Sequence, residues 1–187
     1  MARISDSIRA ARAAWNRPGR PRPATREIAI PKDGQESVWD FPRPPRLESW
    51  SERVKIEFAG ATLADTNHAL RLLETSHPPT YYVPMADVNM DMLRPAGGAS
   101  MCEWKGQAAY FDVVAPQRVA ARAAWSYPDP FDDFAQVAGH LAFYCAAMDG
   151  CWVGGHQATP QPGGFYGGWV TPHVTGPFKG GPGSAGW

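Results

Sequence analysis

Four side chains that could act on a small molecule lie close together in the sequence, on either side of a proline pair. They are Arg71, Glu74, His77 and Tyr82, and the turn between them contains Pro78-Pro79. An imidazole beside a carboxylate can act as an acid/base pair, and a guanidinium can bind an anionic group. We therefore predict that Glu74 and His77 are catalytic. Arg71 and Tyr82 are predicted to bind the ligand.

The same segment also has a purely structural interpretation. Arg71 and Glu74 could pair with each other while His77 hydrogen-bonds to the turn, since structural ion-pair networks also perturb ionisable groups. The sequence leaves both interpretations open.

A second reactive group lies in the segment Cys102-Glu-Trp-Lys-Gly106. Cys102 becomes a catalytic nucleophile if His77 or Lys105 lowers its pKa, because the thiolate is the reactive form. Otherwise it is a small buried apolar residue. Lys105 is predicted to contact an acidic group on a ligand.

Aromatic side chains on neighbouring predicted strands could form one wall of such a site. They are Trp104, Tyr110, Trp125 and Tyr127. Such residues usually fill the core of a small β domain, but they can also stack on a flat or cationic ligand. We predict Trp104, Trp125 and Tyr127 as ligand-binding residues.

The sequence predicts no metal site. Asp65, His68, Glu74 and His77 are suitable ligands for zinc, manganese or iron, but their spacing matches no known rule. Pairs of Cys-x-x-Cys, which hold structural zinc, do not occur. No cofactor can be named.

The charge distribution argues against nucleic acid as a partner. The formal net charge of the 187 residues is zero, but residues 1–26 carry seven arginines against the single acid Asp6, so the rest of the chain is acidic. Phosphate backbones attract basic surfaces, and an acidic body lacks that attraction. A small molecule is therefore the expected partner.

Cysteine usage and hydropathy predict a cytoplasmic protein. The three cysteines, Cys102, Cys145 and Cys151, are an odd number, and neither a secretory segment nor a long apolar run is present. Membrane association is not expected. The arginine-rich start also resembles an organellar transit peptide, which remains a minor alternative.

The elements that must position these residues are predicted to be mostly strands. Nineteen glycines and nineteen prolines, about a fifth of the chain, favour short elements joined by turns. A short helix is predicted from Ile4 to Trp15, with Ser5 as its cap and Pro18 as its end. Alternation of apolar and polar residues predicts a β-hairpin from Arg53 to Asp65.

Further elements follow along the chain. Residues 69–73 fit either a helical turn or a strand, and 80–83 is an aromatic strand. A short strand is predicted around Met90 and Met92, ending near residues 95–98. The remaining predictions are a hairpin of 107–114 with 119–125, a helix at 131–140, and a hairpin of 141–145 with 151–153 around Asp149-Gly150. Cys145 and Cys151 would face each other across that last hairpin.

The glycine-rich end cannot form an ordinary sheet. We expect Phe165, Tyr166 and Trp169 to anchor it as an arm, either over the body or over a second copy of the chain. The predicted organisation is a basic extension at 1–35, one β-rich domain at 36–180 that includes the arm, and a flexible tail at 181–187.

Six strings in this order resemble a bacterial family, the domain of unknown function 427, and the resemblance spans Glu36 to Gly180. The strings are Glu36–Pro45, Ala64–Thr66, Leu73–Pro84, Cys102–Gly106, Ala124–Pro128 and Gly163–Trp169. The resemblance implies a mainly β fold of small crossed antiparallel sheets, the β-tent, with one or two short helices and extended arms at both ends.

The family also has a nucleotidyltransferase-like label. Such enzymes hold magnesium with paired carboxylates near a glycine-rich phosphate loop. Here only Asp87 and Asp91 lie four apart, around a methionine-rich turn, so the label gains little support from the residues.

Three hypotheses for function follow, and whether the protein is an enzyme stays undecided. The first is a pocket that binds or transforms a small polar metabolite; its predicted lining is Arg71, Glu74, His77, Tyr82, Lys105 and Trp125. The second is a noncatalytic module for protein interaction or self-association through the arm. The third is nucleotidyl transfer, as the family label suggests.

Overall fold

The computed structural model describes residues 2–187, and its main elements are strands. Its one α-helix is α1, Asp6–Trp15. The strands are β1 Glu36–Ser37, β2 Arg46–Trp50, β3 Val54–Phe58, β4 Ala61–Thr66, β5 Ala69–Leu73, β6 Thr80–Pro84, β7 Leu93–Cys102, β8 Gly106–Ala115, β9 Arg118–Ser126, β10 His140–Phe143, β11 Gly150–Val153, β12 His156–Gln157, β13 Thr159–Pro160, β14 Trp169–Val170 and β15 Val174–Thr175. Five 3₁₀ helices lie between them, at Thr25–Glu27, Met85–Asp87, Met90–Met92, Asp132–Val137 and Cys145–Ala147. The prediction of a mainly β fold with small antiparallel sheets is confirmed.

Two sheets make up the body. The larger has seven antiparallel strands in the order β2-β5-β6-β10-β9-β8-β7, and the smaller has four in the order β12-β11-β3-β4. Two short pairs, β1 with β15 and β13 with β14, attach the outer segments.

Period-two sequences form the hairpins that were predicted from them. In β3, Val54, Ile56 and Phe58 are buried while the residues between them are half-buried. The turn to β4 uses Ala59 and Gly60, both with positive φ, which is the geometry of a tight hairpin turn. The hairpin of β8 and β9 is also confirmed.

The seven-stranded sheet has a different environment on each face, because successive side chains on a strand point to opposite sides. One face packs on the four-stranded sheet in the main core, where Tyr81 contacts Trp169 at 5.4 Å between ring centroids. Tyr82 points the other way, into a second cluster with Trp125 and Tyr127.

Several predicted elements are wrong. The hairpin around Asp149-Gly150 does not form, since β10 lies between β6 and β9 while β11 pairs with β3. The side chain of Asp149 instead accepts a hydrogen bond from Gly60 N at 2.8 Å. Long-range pairing thus replaces the local turn, and Cys145 and Cys151 are brought together as buried residues without it.

Two further predictions differ in the type of element. Met90–Met92 is a 3₁₀ turn rather than a strand, and the strand after it continues to Cys102 through a bulge between Ala96 and Ala99. The predicted helix at 131–140 is a six-residue 3₁₀ helix, Asp132–Val137, because β10 already begins at His140.

Helix α1 begins where predicted, with the Ser5 side chain accepting a hydrogen bond from Ile8 N at 3.3 Å. No residue of the helix is buried. Arg12 attaches it to the body by donating to the backbone oxygens of Glu103 at 2.7 Å and Trp104 at 3.0 Å.

The glycine-rich arm lies over the body. Trp169 is fully buried, and its Nε1 donates to Phe143 O at 3.0 Å. Residues 181–187 also make contacts, since the Trp187 ring lies 5.2 Å from that of Trp39. Within residues 2–187, no helix is both long enough and apolar enough to span a bilayer.

Candidate functional site

A cavity of about 330 Å³ lies on the face of the seven-stranded sheet that carries Tyr82. Its wall comes from widely separated parts of the chain. The lining includes the predicted site residues Glu74, His77, Tyr82, Cys102, Trp104, Lys105, Trp125 and Tyr127. Of the predicted set, the structure leaves only Arg71 outside the cavity.

Arg71 lies on the opposite face of the sheet. It pairs across the strands with Tyr81, whereas its neighbour Leu70 pairs with Tyr82. Its guanidinium forms ion pairs with Glu36 at 2.5 Å and Glu48 at 2.8 Å, and it lies over the Trp50 ring. Arg71 is therefore not brought together with the other predicted ligand-binding residues.

The turn that follows β5 carries Glu74 and His77 to the cavity. Two hydrogen bonds attach the C-terminal arm to this turn, from Lys179 N to Ser76 O at 2.8 Å and from Trp169 N to Pro79 O at 2.9 Å. The position of the cavity wall therefore depends on both segments.

His77 makes the hydrogen bond to the turn that the structural interpretation predicted. Its Nδ1 donates to Thr75 O at 3.0 Å, and its ring meets the edge of Tyr166 at 4.8 Å. Burial lowers the pKa of His77, and Lys179 and Arg43 lower it further against the opposing effect of Glu74. The imidazole is therefore neutral at neutral pH.

Glu74 forms its ion pair with a different arginine from the one predicted. Arg43 Nε lies 3.4 Å from Glu74 Oε1, and both side chains are largely buried. Arg43 also donates to Thr75 O at 2.9 Å, which fixes it against the same turn. The carboxylate of Glu74 is thus already paired with Arg43.

Lys105 is enclosed in the cavity wall. Lys105 lies in the tight connection between β7 and β8, and its backbone oxygen accepts a hydrogen bond from Phe131 N at 3.1 Å. The amine lies 5.5 Å from the centroid of the Tyr127 ring. Burial opposes its charge, but Glu74 and, where they are ionised, Cys102, Tyr82 and Tyr127 outweigh burial and raise the pKa of Lys105 well above its ordinary value.

Cys102 lies in the same connection and also lines the cavity. It is half-buried as a free thiol. The Nδ1 of His77 donates to Thr75 O, which leaves Nε2 of the neutral ring as an acceptor. The predicted role of Cys102 as a nucleophile therefore keeps both His77 and Lys105 as candidate activators.

Aromatic rings form much of the wall. Trp125 and Tyr144 lie 4.6 Å apart, and Tyr82 and Tyr127 lie 6.4 Å apart, measured between ring centroids. Burial raises the pKa of both Tyr82 and Tyr127, so their phenols are neutral. The wall is mostly flat, uncharged surface, and the same rings also form the second buried apolar cluster, so both interpretations of the aromatic group stay open.

Several lining residues were not predicted from the sequence as part of a site. They are Trp15, Tyr144, Phe165, Tyr166 and Lys179. Trp15 and Lys179 come from opposite ends of the sequence and meet at 4.4 Å from amine to ring centroid. The only available signal was the aromatic content of the glycine-rich arm, which predicted anchoring but not a site.

Lys179 has a hydrogen-bond acceptor, whereas residues 2–187 provide none for Lys105. Its Nζ donates to the backbone oxygen of Trp187 at 2.7 Å. Burial, with a contribution from Arg43, lowers the pKa of Lys179 to about 8.

The alternative metal set does not assemble. Asp65 is bound by Arg53 at 2.7 and 2.5 Å, and His68 lies on the surface near Asp87 at 3.7 Å. Within residues 2–187, no group of three or more histidine, cysteine or acidic side chains is arranged to hold a metal ion.

The carboxylates considered for magnesium binding are not paired beside a phosphate loop. Asp87 accepts a hydrogen bond from Thr66 Oγ1 at 2.5 Å and lies in the 3₁₀ turn Met85–Asp87, and Asp91 lies in the next one.

Comparison with known proteins identifies the family. No curated protein matches this chain. The family described as Domain of unknown function (DUF427) matches residues 46–154, which include β2 to β11 and most of the cavity wall. Since this match covers more than half of the 187 residues, the chain belongs to the DUF427 family.

Proposed function

We propose that this protein binds a small molecule in the cavity between the seven-stranded sheet and the C-terminal arm. One observation carries the proposal: Glu74, His77 and Lys105, together with Tyr82 and Trp125, converge on a single space of about 330 Å³. Ligand sites are commonly clefts of this size, lined by aromatic residues with a few polar groups.

Binding is better supported than acid/base catalysis. His77 is neutral and donates to the backbone, and Glu74 is paired with Arg43. A general base must reach the proton that it removes, and the Glu74 carboxylate is already paired with Arg43. His77 keeps Nε2 as an acceptor, but no acidic side chain is bonded to it as a partner in residues 2–187. The proposal therefore assigns Glu74 to the shape and potential of the pocket and His77 to hydrogen bonding with the ligand.

Self-association through the arm is the second proposal. Phe165 is 77% exposed beside the cavity and could contact a partner, whereas Trp169 is fully buried against its own chain. Light scattering of the wild type and Phe165→Ser tests this proposal. A change from dimer to monomer would support it, and a wild-type monomer would contradict it.

A variant that fills the cavity tests the first proposal. Ser100 lines the cavity and is exposed, so Ser100→Trp should occupy the space without opening the core. Ligand-observed NMR with a set of small aromatic and carboxylic compounds should detect binding to the wild type and to the control Ser100→Ala. Binding should be lost in Ser100→Trp.

Two results would contradict the proposal. One is the absence of any binding compound for the wild type. The other is equal binding of the same compounds to Ser100→Trp, which would locate them elsewhere on the protein.

A further inference from the structure

Lys105 is a largely buried cation, only 7% exposed. Among residues 2–187, no hydrogen bond or ion pair involves its amine. The groups that act on its charge are Cys102, Tyr82, Tyr127 and Glu74, and the centroid of the Tyr127 ring lies 5.5 Å from the amine. A buried charge is costly unless it is paired and hydrogen-bonded.

The acidic residues of the cavity do not supply that pair. Glu74 lies 3.4 Å from Arg43, which already provides its counter-charge. Glu103 acts on Lys179 and Tyr166, where its charge contributes to the pKa of each. Glu74 acts on the charge of Lys105, but no carboxylate of residues 2–187 forms an ion pair with its amine.

The surroundings of Lys105 also define what kind of anion fits. The nearby wall consists of aromatic rings, including Tyr82 with Tyr127 and Trp125 with Tyr144. Aromatic rings pack best on other flat rings, at centroid distances of about 4.5–7 Å, so this wall favours a flat, unsaturated body. Lys179 already donates to Trp187 O, so the Lys105 ammonium is left to balance one negative charge, which matches a carboxylate and leaves a triphosphate largely unneutralised.

We propose that the ligand of this cavity is a compact aromatic monocarboxylate, whose carboxylate pairs with Lys105 and whose ring packs against Tyr82 and Trp125. This inference rests on the proposed function, because it specifies the chemistry of the same site. The volume of about 330 Å³ suits a molecule of one or two rings.

Three probes that share one ring system test the charge requirement. They are 2-naphthoate, 2-naphthamide and 2-naphthylmethylammonium, which are anionic, neutral and cationic. Calorimetric titration of the full chain should give an affinity for the carboxylate at least about tenfold higher than for the amide, as expected for one charge-assisted contact. The ammonium compound should bind most weakly.

Lys105→Met should remove this preference while keeping the unbranched side chain up to Cε. Its affinities for the carboxylate and the amide should agree within about twofold, and its affinity for the amide should match that of the wild type. Lys105→Arg should retain the preference for the carboxylate. Circular dichroism of each variant verifies that it is folded.

Lys179→Met is the matched control, because Lys179 lines the same cavity but already donates to Trp187. It should keep most of the preference for the carboxylate. Loss of the preference in Lys179→Met with retention in Lys105→Met would overturn the assignment to Lys105.

The outcomes separate the two proposals. If the wild type binds the amide or the ammonium compound as tightly as the carboxylate, the anion requirement is wrong and the binding function survives. If none of the three binds, the inference is wrong, and the wider NMR compound set decides the proposed function independently.

Discussion

The two faces of the seven-stranded sheet differ in whether a buried cation is paired with carboxylates of the chain. On the face toward the core, Arg71 is bound by Glu36 at 2.5 Å and Glu48 at 2.8 Å. On the other face, Lys105 is enclosed among aromatic rings with no carboxylate of the described chain bound to it. A cation with a structural role is paired with carboxylates of its own chain. A cation in a binding site can stay unpaired until a ligand supplies the anion.

The largest expected effect is on the stability contributed by Trp169, the aromatic residue of the arm that is fully buried in the main core. Trp169→Ala should lower the free energy of unfolding by about 3–5 kcal/mol, because it empties a fully buried position and removes the hydrogen bond to Phe143 O. Urea denaturation measures it. The control is Phe165→Ala on the exposed side of the arm, with an expected change of no more than about 0.5 kcal/mol. Equal effects would mean that the arm is not anchored by its buried face.

The two cations should respond to different degrees to replacement by methionine. Arg71→Met should cost about 1–3 kcal/mol of folding free energy, because it leaves two carboxylates without their shared donor. Lys105→Met should cost less, at most about 1 kcal/mol, because its raised pKa comes from neighbouring charges and no hydrogen bond of the described residues is lost.

Denaturation curves for both variants test this contrast directly. Arg46→Met is the surface control: Arg46 also contacts Glu48 at 2.6 Å but is 59% exposed, so it should cost at most about 1 kcal/mol. A large loss of stability in Lys105→Met would show that its amine has a partner within the protein, and the comparison would fail.

A methyl group added at Gly167 should disturb the wall of the cavity. A Cβ on Gly167 would lie 2.1 Å from the Trp125 ring, so Gly167→Ala must move either the arm or the ring. We expect a cost of about 1–3 kcal/mol, typical of overpacking, and weakened binding of 2-naphthoate. Gly181→Ala, which meets nothing within 4 Å, is the matched control for thermal melting and titration. Unchanged binding in Gly167→Ala would show that the arm does not contribute to the ligand site.

The smallest expected effect is a dependence on pH. The pKa of His77 is lowered by burial from its ordinary value of 6.5. As the pH falls below that value, the unfolded chain takes up a proton that the folded chain does not, so the stability contributed by neutral His77 is lost. His77→Asn, which can keep the bond to Thr75 O, should make the unfolding free energy less sensitive to acid over this range. Parallel curves for both proteins would contradict it.

The hairpins could be predicted because their signals are local. Alternating residues in β3 and a turn with positive φ at Ala59 and Gly60 define one pairing without reference to the rest of the chain. The same local logic failed at Asp149-Gly150, where each neighbouring strand pairs with a distant one. A turn motif does not indicate which distant strand each of its neighbouring strands will pair with.

Most of the cavity residues could be predicted because reactive and aromatic types cluster in two segments. Arg71 was grouped with them by its distance along the chain, but a strand alternates its faces at every residue, so Arg71 and Leu70 lie on opposite sides. Residues 69–73 fitted both a helix and a strand, and the sequence alone therefore gave no basis for choosing a face. Trp15 and Lys179 could not be predicted because their approach depends on how the ends of the chain fold back.

The enclosure of the cavity by both ends of the sequence has a consequence for fragments of this protein. Lys105, Tyr82 and Trp125 lie within the family match at 46–154, whereas Trp15, Tyr166 and Lys179 lie outside that match. A fragment restricted to 46–154 would lose these three residues from the wall and the fully buried Trp169 from the core. The terminal segments therefore belong to the binding space as much as to the fold.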